Sequence, residues 1–70
     1  MESNENKETQ NRYTVSLVYT RNVPNGIETA LKVIVFGASS RAEALGKAIH
    51  HYTEEMSGYV LANHVTREII

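Results

Sequence analysis

Apolar and polar residues alternate strictly from Tyr13 to Thr20. Tyr13, Val15, Leu17 and Tyr19 share one face, and Thr14, Ser16, Val18 and Thr20 share the other. Period two in β-branched and aromatic residues predicts a strand over 13–20 with one buried face. A second strand is expected over 28–37, around Leu-Lys-Val-Ile-Val-Phe, the most apolar stretch of the chain. Here Leu31, Val33 and Val35 fall on one side and Ala30, Lys32, Ile34 and Phe36 on the other, so both sides are apolar in part. Between the two runs, Pro24 presets φ for a turn and Asn25-Gly26 tolerates positive φ. Arg21 to Ile27 therefore reads as a hairpin loop of four to six residues.

At Ser40 the period changes to that of a helix. Ala42, Leu45, Ile49, Tyr52 and Met56 follow at spacings of three, four, three and four, a stripe expected to face the sheet, with Ala44 and Ala48 widening it. Arg41, Lys47, His50, His51, Glu54 and Glu55 are expected to look outward. Ser40-x-x-Glu43 fits a capping box, and Ser57-Gly58 supplies a stop, which puts the helix at 40–57. Gly46 costs ~1 kcal/mol against Ala inside a helix unless a close backbone approach requires it. A last strand is expected over 59–69. It sets Tyr59, Leu61, Val65 and Ile69 against Val60, Ala62, His64, Thr66 and Glu68, with a possible bulge at Asn63-His64.

The order β-β-α-β predicts an α+β fold of two layers: a three-stranded antiparallel sheet, order 2-1-3, covered on one face by a single helix. The alternative places the third strand beside the second, parallel to it. In a two-layer domain one helix covers one sheet face only, so apolar residues are left over. If Leu31, Val33 and Val35 lie under the helix, then Ile34, Phe36 and Val18 are outside; in the reversed register Leu31, Val33 and Val35 are outside instead. Val18, Lys32, Ile34, Phe36, His64 and Arg67 form the candidate interaction surface.

Composition narrows the function classes. Seventy residues allow one domain, here 13–70, with a core that supplies only ~3–5 kcal/mol. The absence of cysteine excludes disulfides, thiolate metal sites and cysteine nucleophiles, which leaves association with another copy or another protein as a stabilising device. Residues 1–12 contain no apolar side chain after Met1 and read as a disordered tail. No signal peptide and no membrane span is legible, so a cytoplasmic protein without membrane contact is expected. The net charge of -1 provides no long-range attraction for nucleic acid.

Candidate chemistry is sparse. His50 and Glu54 share a helix face, as metal ligands can, but no second ligand pair accompanies them. Ser39 and Ser40 are explained by capping. No catalytic, cofactor-binding or metal-binding residue is assigned, and a non-enzymatic interaction module, homodimeric or bound to another protein, is expected. The alternative is a small nucleic-acid-binding module using Lys32, Arg67 and Phe36 on the open sheet face to stack single-stranded bases.

The run Gly37-Ala38-Ser39-Ser40-Arg41-Ala42-Glu43-Ala44-Leu45-Gly46-Lys47-Ala48, then Ser57-Gly58-Tyr59 and the final Arg67-Glu68-Ile69-Ile70, resembles a class of small phage or prophage proteins. That resemblance covers about fifty residues of the 70 and implies an accessory role without a defined activity. The S-x-x-E-A-L element also resembles the strand-to-helix passage of HicB-type antitoxin domains. Those have three strands before the helix and a Pro-Gly-Cys turn, both missing here, so their function is not carried over.

Overall fold

A computed structural model of the chain describes residues 11–69. The disordered tail expected at the N-terminus falls mostly outside them, as does Ile70. The elements are β1 (Asn11–Val23), β2 (Gly26–Ala38), α1 (Arg41–Tyr52) and β3 (Val60–Ile69). The sheet has the order β2-β1-β3, with β1 antiparallel to both neighbours. The expected α+β fold, strand order and single helix are all present.

The strands are longer at the hairpin than alternation alone suggested. Val23 pairs with Gly26, so the connection is the two-residue turn Pro24-Asn25 and not a loop of four to six. Gly26 has φ of 141°, which a side chain would resist, and this lets the ladder close directly behind the proline. At the other end of β1, Asn11 and Arg12, expected in the tail, pair with Ala38 and Gly37 and belong to the strand. β1 and β2 run thirteen residues each, against ten for β3.

The helix starts as its cap predicts. The Ser40 hydroxyl accepts from the Glu43 backbone N–H at 3.1 Å. The Glu43 carboxylate reaches back one residue further than a simple capping box, to the backbone N–H and hydroxyl of Ser39 at 2.7 and 2.6 Å. Those two bonds and the nearby Lys47 ammonium hold the Glu43 carboxyl below its ordinary value. The helix is shorter than the expected 40–57. It stops at Tyr52, where the Thr53 side chain and backbone turn back onto the carbonyls of Ile49 and His50. Consecutive turns then carry the chain to Gly58, whose φ of 92° reverses it into β3.

The core is the alternating face of β1. Val15 and Leu17 are fully buried, with Tyr13 and Tyr19 beside them. Against these pack Ala38, Ala44, Ala48 and Met56, with Leu45, Ile49 and Tyr52 half-buried alongside. The fully buried positions of α1 are therefore Ala44 and Ala48; of the expected stripe, Leu45, Ile49 and Tyr52 flank them half-buried, Met56 is buried past the helix end, and only Ala42 is exposed. Two methyl-sized side chains allow the helix to settle close over the sheet while the longer residues flank them. Each fully buried Val or Leu contributes ~1.5–3 kcal/mol.

Candidate interaction surface

Which face of each strand meets the helix follows from the pairing. Tyr13, Val15, Leu17 and Tyr19 stand opposite Phe36, Ile34, Lys32 and Ala30 of β2. Directly paired residues point to the same side of a sheet, so these four β2 residues lie under the helix layer, and Ile34 and Phe36 are half-buried against the core. The opposite set, Ile27, Leu31, Val33 and Val35, lies on the uncovered face.

β3 divides at a bulge. Val18 pairs with Asn63 but Tyr19 pairs with Leu61, which makes Ala62 the extra residue, one place before the expected Asn63-His64 interruption. Leu61 packs beneath the helix layer. Past the bulge the faces are exchanged: His64 and Thr66 stand opposite Leu17 and Val15, while Val65, Arg67 and Ile69 turn to the uncovered face. The expectation that Leu61, Val65 and Ile69 share one side fails because that extra residue intervenes.

The result is a segregated molecule. Among the described residues the large apolar side chains left exposed are Ile27, Leu31, Val33, Val35, Val60, Val65 and Ile69, from 42% to 69% accessible, and all seven lie on the open sheet face. Val18 sits half-buried between them on the central strand. Thr14, Ser16, Thr20, Asn22 and Thr29 complete that face with neutral polar groups. Its only charges among the described residues are Arg12 and Arg67, close together at the end away from the hairpin, since Arg12 pairs with Ile69 and Thr14 with Arg67.

The sequence-derived surface is thus split between two sides. Val18 and Arg67 are on the open face. Lys32, Ile34, Phe36 and His64 are on the helix side, because the hairpin pairing and the β3 bulge put them there. Lys32 is bound to Glu55 in the turn after α1, and its pKa is raised by that bond. Phe36 meets His51 edge to face at 6.0 Å. His51, exposed as expected, also meets the Tyr52 ring, at 4.8 Å.

Sequence reasoning missed the centre of the surface, Leu31 and Val33, as members of the primary set. The signal that identifies them is the parity of the hairpin turn.

The helix side is rich in internal polar ties. Arg21 binds Glu28 at 2.7 Å and lies over the Tyr59 ring at 4.7 Å, and the Tyr59 hydroxyl donates to Glu28 at 3.0 Å. The bonds from Arg21 and Tyr59 lower the Glu28 pKa. These contacts fix the hairpin end to the start of β3 and, with Lys32–Glu55, satisfy both charges of β2 within the molecule.

Two open depressions also lie on the helix side. One, of about 360 Å³, is lined by Arg41, Ala42, Leu45, His64 and Thr66. The other, of about 410 Å³, is lined by His50, His51, Thr53 and Glu54. Among the described residues no group of three or more His, Cys, Asp or Glu is placed to hold a metal ion. None of their helices is long and apolar enough to cross a membrane.

Comparison with known proteins finds no matching family model, no curated protein of significantly similar sequence and no solved structure of significantly similar fold.

Proposed function

We propose that this chain is a non-enzymatic protein-interaction module whose working surface is the uncovered face of its sheet. The observation that carries the reading is the segregation of every large exposed apolar side chain among the described residues onto that one face. Scattered apolar residues are ordinary on a protein surface; a contiguous set marks a contact site. The resemblance to small phage and prophage proteins fits an accessory role that works through contact with other proteins.

Stacking of nucleic-acid bases is the weaker reading. It requires aromatic side chains on an open surface, whereas the four tyrosines and the one phenylalanine all belong to the helix side. The arginine pair alone gives too few phosphate contacts for more than weak, salt-sensitive affinity.

Affinity capture with the tagged chain from its native host tests the proposal, run beside the double variant Leu31→Asp, Val33→Asp. The expected result is that proteins retained by the wild-type chain, its own untagged copies included, are lost with the variant while its far-UV circular dichroism is unchanged. Retention of the same proteins by the folded variant would remove the open face from the account.

A further inference from the structure

We infer that the occupant of the open sheet face is a second copy of this chain, seated sheet to sheet with the strands of the two copies running in opposite directions. This deepens the reading above and rests on it, since it takes the open face to be a working surface.

Area is the first argument. Seven Val, Leu and Ile residues, each 42% to 69% exposed, lie on this one face, on the order of several hundred Å² of largely apolar surface, against ~800 Å² per partner in a standard specific interface. With the neutral polar residues between them added, the face is of the size a dimer interface needs. A second copy would also enlarge a core that, among the described residues, has only eight buried apolar side chains.

Self-complementarity is the second argument, and it selects the orientation. A two-fold axis in the interface can lie along the strands or across them. Along the strands, each copy sets Arg12 facing the partner's Arg12 and lays the apolar β2 row over Asn63 and Arg67 of β3. Like charges then meet and apolar area is lost. Across the strands, β2 lies over β2, with Leu31 near Val33 of the second copy at the centre. The arginine end of one copy then covers the hairpin end of the other, where Thr20, Asn22 and Thr29 offer oxygen acceptors and, among the described residues, no cation lies at that end of the face. No carboxylate of the described residues is on the face to oppose an apolar contact. Two sheets packed in this way lie ~10 Å apart, with the twist setting a crossing of ~30°.

The chain contains no cysteine, so single-cysteine variants report directly on the arrangement. Ser16→Cys, near the middle of the central strand, is expected to cross-link to its own copy rapidly with a short bis-maleimide. Asn22→Cys, at the hairpin end of the same strand, is expected not to, because its mate lies roughly 30 Å away. Sedimentation equilibrium of the wild-type chain is expected to give twice the monomer mass at micromolar to sub-millimolar concentration. The folded Leu31→Asp, Val33→Asp variant is expected to give the monomer mass. Efficient cross-linking at Asn22→Cys, or a wild-type monomer throughout, would overturn this inference. A wild-type monomer that still captures a different protein through Leu31 and Val33 would overturn it while leaving the proposed function standing; a monomer that captures nothing through them would overturn both.

Discussion

Thr66 illustrates what single positions contribute. Its Oγ1 is buried on the helix side of β3 with no hydrogen-bond partner. A buried hydroxyl without a partner loses its water contacts and gains nothing in return. Thr66→Val removes that hydroxyl at nearly constant shape, and the expected gain is about 1 kcal/mol in urea unfolding. Gly46 is a second such position. A Cβ placed there meets nothing within 4 Å, so no close approach requires glycine. Gly46→Ala is expected to stabilise by ~1 kcal/mol in the same assay. The Glu43 carboxylate acts in the opposite sense. Its folded pKa is below the ordinary value, so its contribution is present above the ordinary carboxylate range and is lost as pH falls through the lowered folded value. Thermal melts across that range should show Glu43→Gln less stable than wild type near neutrality, with the difference closing in acid.

At the scale of elements, the hairpin decides which side of β2 is buried. Pairing about Pro24-Asn25 matches odd residues of β1 with even residues of β2. Pairing about Asn25-Gly26 would do the same, because both loops have an even length. Only an odd loop would have turned Leu31 and Val33 under the helix. The alternation of β1, the cap at Ser40 and the positive φ of Gly58 were legible in the sequence because each depends on neighbouring residues. Both registers of β2 were left open and the candidate surface took Lys32, Ile34 and Phe36, which lie on the helix side, because an expected loop of four to six residues left its parity undetermined. The β3 faces were misassigned for a related reason: one bulged residue, Ala62, exchanges everything after it, and alanine carries little local signal for a bulge. The helix was read too long because Thr53 to Ser57 continues a helical pattern while its side-chain and backbone bonds favour turns. This placement makes a paired prediction. Ile34→Asp, facing the core, is expected to destabilise the fold by upward of ~2 kcal/mol. Val33→Asp, next to it on the open face, is expected to leave the folded monomer intact, as read by circular dichroism and urea melts.

For the whole molecule, the two faces of the sheet perform different tasks. The helix side holds the aromatic residues, the ion pairs and the core, and it accounts for the fold. Among the described residues the open side holds neutral polar groups, seven exposed aliphatic side chains and two arginines at one end, and the fold of a single chain does not require that composition. The central claim is that this side is covered when the protein works, in the first instance by its own copy. Methyl NMR with a soluble paramagnetic agent tests it most directly, read at Leu31, Val33, Val35 and Val65 as the protein is diluted. The account predicts that these methyls are shielded at high protein concentration and become accessible together on dilution, while Val15 and Leu17 stay shielded throughout. Full accessibility of the open-face methyls at every concentration would contradict it.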